Sequence, residues 1–136
     1  MNTVKLIYKN ERYDYEEATN REIEILGFFF EDCINRRQES YKSFKDWALA
    51  DKDDPKSGYG SALGCNITSV EDDGLGNVIV EDDIPVDPEN PARIKMTREQ
   101  FVKLLDEWAE KIIKTLPEEV IIKHDNNEFS VEVIKQ

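Results

Sequence analysis

The stretch TNREIEILGFFFEDCINRR, from Thr19 to Arg37, decides how the rest of the chain is read. Ile23, Leu26, Phe30, Cys33 and Ile34 recur three or four apart, the spacing of one helix face. Ile23-Glu24-Ile25, followed by Gly27 and three phenylalanines, also has the make-up of a strand. The length of the segment and its polar interruptions after Phe30 favour the helix.

Upstream, Thr3 to Tyr8 alternates as a strand, with Val4, Leu6 and Tyr8 on one face. Asn10-Glu11 turns it into a short second strand around Tyr13 and Tyr15. Downstream, Ser40 to Ala50 places Tyr41, Phe44, Trp47 and Ala48 on one face of a second helix. Pro55 ends that run, because it disfavours a helical Asp54. Ser57-Gly58-Tyr59-Gly60-Ser61 is a flexible loop, its glycines allowing unusual angles on both sides of Tyr59. Ala62 to Val70 is expected to be one strand, turning through Glu71–Asn77 into a partner at Val78–Val80. Three prolines make Asp82–Ala92 an extended loop, and Ile94 and Met96 a short edge strand.

The plainest element is a helix from Arg98 to Thr115. Thr97 and Gln100 form a capping box, and losing such a cap costs about 1 kcal/mol. Phe101, Leu104, Leu105, Trp108 and Ile112 make its apolar stripe, and Pro117 closes it. Glu119–Lys123 and Glu128–Ile134 are two strands around Asp125-Asn126-Asn127, with Ile121, Phe129, Val131 and Val133 in the core. Hairpins separated by helices give an α+β fold: a single domain over residues 1–136, a mainly antiparallel sheet with helices packed on one face.

Charge is unevenly spread. Residues 51–90 hold eleven carboxylates against two lysines, which is nine of the chain's twelve net negative charges. Unpaired charge at that density works against compaction, and its natural use is to steer and hold a basic partner. The same charge repels nucleic acid and anionic membrane, so neither is expected as a partner. The acids fall in four clusters that the hairpin is expected to bring together. The alternative is a solvated, soluble face.

No catalytic kit is evident. His124 is the only histidine, beside a turn, and reads as an exposed or partly packed residue. Cys33 and Cys65 lack metal-ligand spacing. A single disulfide is the alternative to two free core thiols in a reducing cytosol, which are expected. Asp51-Lys52-Asp53-Asp54-Pro55 begins like a calcium loop, then puts Pro55 at a ligand position and lacks the central glycine and closing glutamate. Gly58-Tyr59-Gly60 and Gly74-Leu75-Gly76 lack the Gly-Lys-Ser/Thr of a phosphate loop. Expected are no catalytic residue, no cofactor and no metal. The N-terminus shows no secretory pattern, and Leu26 to Phe30 is far too short to cross a bilayer, so a cytoplasmic protein is expected. The oligomeric state is left open.

Ser57 to Gly64, the acidic hairpin, Phe101 to Trp108, and Pro117 to Ile122 together give residues 57–134 a style similar to small immunity proteins of bacterial polymorphic-toxin and contact-dependent growth inhibition systems. The resemblance implies a cytoplasmic α+β protein that neutralises one cognate toxin, often a basic nuclease, by covering its active site or a neighbouring surface. On that reading Asp72, Asp73, Asp82 and Asp83 steer the toxin and Tyr59 anchors it. Two other classes stay open: a non-catalytic adaptor or regulatory subunit for a basic protein, and a carboxylate- and metal-dependent enzyme.

Overall fold

A computed structural model describes residues 1–136. The decisive stretch is helical. Asn20 caps it, its side chain accepting from the Ile23 N–H, and α1 runs over Arg21–Phe29. It continues as a π-helical turn, Phe30–Ile34. Ile23, Ile25, Leu26, Gly27, Phe29 and Phe30 are all buried. A helix buried on more than one side carries apolar residues all round, which is why it also has the make-up of a strand.

The strands divide between two antiparallel sheets. The first has the order β2-β1-β7-β8, from β1 (Asn2–Lys9), β2 (Arg12–Ala18), β7 (Glu119–Asp125) and β8 (Glu128–Lys135). The second runs β3-β4-β5-β6, from β3 (Ala62–Gly64), β4 (Thr68–Asp72), β5 (Asn77–Asp82) and β6 (Arg93–Thr97). Each buries alternate residues on one face: Val4, Leu6, Val120, Ile122, Phe129 and Val131 in the first, Thr68, Val70, Val78, Val80, Ile94 and Met96 in the second. The helix α1 touches both inner faces, packing on β1 and β2 and on β4, β5 and β6. The fold is therefore α+β, as expected, with the helices on the inner face of two sheets where a single sheet was expected.

Gly27 sets how closely α1 approaches β1, since a Cβ there would lie 2.5 Å from Val4 Cγ2. The helix α2 (Gln38–Leu49) packs on α3 (Arg98–Trp108), which begins with the expected capping box and continues as a second π-helical turn, Ala109–Ile113. Phe29 and Trp47 meet Phe101, and Trp108 lies 4.5 Å from Phe30, ring centre to ring centre. One apolar core joins both sheets.

Three expectations need correcting. Ile121, expected in the core, faces outward opposite Lys5 and Glu132, and its neighbours Val120 and Ile122 are the buried ones. Ala62–Val70 is not one strand: β3 and β4 are separate, with a tight turn at Cys65-Asn66-Ile67 closed by the Cys65 N–H on Thr68 O. Cys33 and Cys65 are not free thiols, for they form a disulfide with Cα atoms 5.6 Å apart. It ties the π-helical turn after α1 to the β3–β4 turn. Disulfides belong to oxidising compartments, so free thiols no longer argue for the cytosol. No helix is long and apolar enough to cross a membrane.

Candidate partner-binding surface

The acidic segment is built largely from aspartate, and the structure shows why. Asp51, Asp54, Asp72, Asp73, Asp82 and Asp87 each accept a hydrogen bond from the backbone N–H two residues on. This short-range turn geometry suits aspartate and is out of register for glutamate. Much of the acidic composition is thus turn chemistry. Its charge is another matter. Only Asp72 and Glu81 among the eleven acids lie within 4.0 Å of a cationic side chain. Asp53, Glu71 and Glu89 are exposed, with neither a cation nor a side-chain hydrogen bond to account for them.

The five expected partner residues are placed very differently. Asp72 is largely covered, its side chain 9 % exposed at the wall of the cavity it shares with Asp51 and Lys52. Lys52 Nζ lies 3.3 Å and Arg98 Nη2 3.4 Å from its Oδ2, and the Lys52 ammonium sits 4.5 Å from the Trp47 ring centre. Burial raises its proton affinity, but the Gly74 N–H, Lys52 and Arg98 outweigh that and hold the carboxyl below the usual range. Of the five it is the one whose charge is compensated within the fold. Asp73 builds the hairpin tip. Hydrogen bonds from the Asn77 side chain and the Leu75 N–H hold its carboxyl below the usual range.

Asp82 accepts from the Ile84 N–H, and Asp83 is exposed and accepts from Ser69 Oγ at 2.8 Å. Tyr59 stands 37 % exposed on the loop leading into β3.

The hairpin does not bring these groups together. Asp72 pairs with Val78 and Asp82 with Thr68, at opposite ends of the β4–β5 ladder. Four residue steps separate the ends, about 14 Å. The loop at 51–61 joins the first end, through Lys52 on Asp72 and the Asp72 N–H on Ser61 O. The second end holds Asp82, Asp83 and a residue that sequence reasoning missed, Asp32. Its carboxylate accepts from the Asn66 and Ile67 N–H groups, from Asn66 Nδ2 and from Thr68 Oγ1. Nothing in the sequence around Asp32 marks it, because its partners lie more than thirty residues on. Asp32 and the two cysteine sulfurs lie within 4.8 Å of one another, the donor types of a metal site. Joined as a disulfide, the sulfurs are not thiolate ligands, and Asp32 is already spent on the turn.

His124 stacks on Phe129 with ring centres 4.1 Å apart. A shallow groove runs between Leu49 and Val102, walled by charged side chains of α3 of both signs. Comparison of the chain with protein-family models, with curated proteins and with solved structures gives no match.

Proposed function

We propose that this chain is a non-catalytic binding protein that holds a basic protein partner, in the manner of a toxin-neutralising immunity protein. The observation that carries this reading is the set of acids left over after folding has taken its share. The side chains of Asp53, Glu71 and Glu89 serve no turn and no ion pair, and exposed Asp83 adds charge at the opposite end of the β4–β5 ladder. Such charge costs stability through self-repulsion and is useful once a cationic surface arrives. It raises the association rate, while contacts buried on docking slow release. Tyr59, exposed beside the first acidic end, is the anchor in this scheme.

A cytoplasmic site of action is part of the toxin reading, and it sets Cys33–Cys65 against a reducing thiol pool. Thiol titration of the protein taken directly from the cytoplasm tests that part.

The adaptor reading is favoured by one observation. Leu49 is 59 % exposed, at the groove beside Asp51 and Asp53. An apolar spot next to an acidic one fits a permanent partner as well as a toxin.

The test is a pull-down from the native host, washed at rising salt. The captured protein is then expressed alone and together with this chain. The reading expects one stoichiometric basic protein that salt releases, that arrests growth alone and is tolerated when co-expressed. Capture of an acidic or salt-indifferent partner overturns the charge argument. A basic partner harmless on its own overturns the toxin reading in favour of the adaptor.

A further inference from the structure

A strand at the edge of a sheet leaves alternate N–H and C=O groups open to any chain that pairs with them, and folds usually guard against this. Three of the four edges here are guarded. On β2, Asn35 bonds both the N–H and the C=O of Tyr13, and the Glu31 carboxylate accepts from the Tyr15 N–H. On β8, Glu107 accepts from the Val131 N–H at 2.8 Å and Lys111 donates to the Val131 C=O at 2.8 Å. On β6, exposed Arg93 and Lys95 stand along the edge, the usual charged deterrent, and the Thr97 N–H is taken by Gln100.

The fourth edge, β3, has no guard. The Cys65 N–H donates to Thr68 O and the Asp72 N–H to Ser61 O, which fixes the phase of the ladder. Ser61, Leu63 and Cys65 face β4, and the N–H and C=O groups of Ala62 and Gly64 face outward. No side chain bonds to those groups, and both residues are exposed. Their own side chains, a methyl group and a hydrogen, block nothing.

We propose that the open edge of β3 is where the partner docks, by adding an extended basic segment of its own as a fifth strand of the second sheet. This rests on the proposed function and names its contact. Charge selects the occupant. Exposed Glu71 lies opposite Ala62 on the neighbouring strand, and Asp51 and Asp53 share a cavity with Ser61 at one end. Asp83 holds the Ser69 hydroxyl opposite Gly64 at the other. Lys52 and Arg98, which line the cavity at Ser61, are committed to Asp72, and Lys56 is the one exposed cation in the 51–61 loop, against three acids there. A second copy of this chain would bring the same acids against them, so edge-to-edge pairing of two copies is disfavoured and a lysine- or arginine-bearing strand is favoured. Main-chain hydrogen bonds supply the hold, and the acids supply the preference.

The probe is a short acetylated and amidated peptide of alternating lysine and valine, titrated into the intact protein while backbone amides are followed by NMR. The expected result is a shift of the Ala62 and Gly64 amides together with slower hydrogen exchange there. Affinity should fall about tenfold or more between about 50 and about 500 mM salt. A matching peptide of glutamate and valine should leave the spectrum unchanged. Gly64→Pro should abolish the effect without unfolding the protein, since the N–H it removes faces solvent. Ala62→Pro serves if that variant melts early.

Shifts at the hairpin tip or the α2–α3 groove, with Ala62 and Gly64 unmoved, overturn the edge proposal and leave the acidic-surface reading standing. Equal binding of the glutamate peptide overturns the selection by charge. Absence of binding by either peptide overturns the edge proposal, and a dimer broken by Gly64→Pro assigns the edge to a second copy.

Discussion

The first sheet pairs most of its charges, Lys9, Glu17, Asp125 and Glu128 excepted, whereas most acids on and around the second stand without a cation. On the outer face of the first, Lys5 lies between Glu16 and Glu119, Lys123 meets Glu132 at 2.8 Å, and Lys135 meets Glu118 at 3.0 Å. Its two edges are bonded by side chains from the elements packed beside it. On the second sheet Glu81 has Arg93, Asp72 has Lys52 and Arg98, and the remaining acids have no cation. Its β3 edge is bare. Both sheets bury the same alternating apolar pattern against the same helices, so the core does not explain the difference. The first sheet's edges are closed by side chains of the helical elements beside it, and the second is left with an open β3 edge and with Glu71 and Asp82 unmatched by a cation. Function is best sought where the fold has left work undone.

That contrast breaks most visibly at Asn35. It holds a φ of +47°, which asparagine tolerates better than most residues, and its side chain satisfies Tyr13 and Glu31 backbone groups in a buried site. Asn35→Ala leaves those groups unpaired and should cost about 4 kcal/mol, read by urea denaturation. A loss under about 1 kcal/mol would show that the edge bonding of the first sheet matters little.

The disulfide is the second sheet's counterpart. It closes a loop of 32 residues in sequence separation. Reduction, or Cys33→Ala with Cys65→Ala, should cost about 3 kcal/mol. Hydrogen exchange should show the loss first at β3 and β4, with β1 and β7 keeping their protection. Equal loss in both sheets would mean that they do not differ in local stability.

Asp72 gives a smaller effect with a pH signature. Its folded carboxyl titrates below the ordinary value, so its stabilising contribution is present at neutral pH and disappears as the pH falls through that lowered value. Asp72→Asn should cost about 1 kcal/mol at neutral pH and flatten the acid limb of the stability curve below about pH 4. An unchanged acid limb would remove the Lys52–Asp72–Arg98 cluster from the account of the hairpin tip.

How much of this was legible depended on how local the cause was. The Thr97–Gln100 capping box and the Phe101–Ile112 stripe are set by neighbours within a turn or two, and both stand where the sequence puts them. The strands around Tyr13, Val78 and Phe129 follow the same rule. The division into two sheets was not legible, because strand alternation says which face is buried and not which strand lies alongside. The Ala62–Val70 run reads as one strand because its turn uses Cys65-Asn66-Ile67 and borrows the carboxylate of Asp32 from another element. The disulfide was hidden for the same reason: thirty-two residues separate its halves. The acidic segment was legible as charge, but its clusters sit at two ends of a ladder whose register no composition reveals. Asp72 looked like Asp73 in sequence, and only packing gives Asp72 two cations in addition to its turn bond.

On the proposed function, the unpaired acids of the second sheet and of its flanking loops are kept at the expense of folding because they serve a partner. The most direct test needs no partner. Asp53→Asn, Glu71→Gln and Glu89→Gln together remove three charges that accept no hydrogen bond, so nothing structural goes with them. This triple variant should melt a few degrees higher than the parent at low salt, and the difference should close as salt screens the parent's repulsion. A triple variant that melts lower than the parent at every salt concentration would contradict the account, because those acids would then be part of what holds the second sheet together.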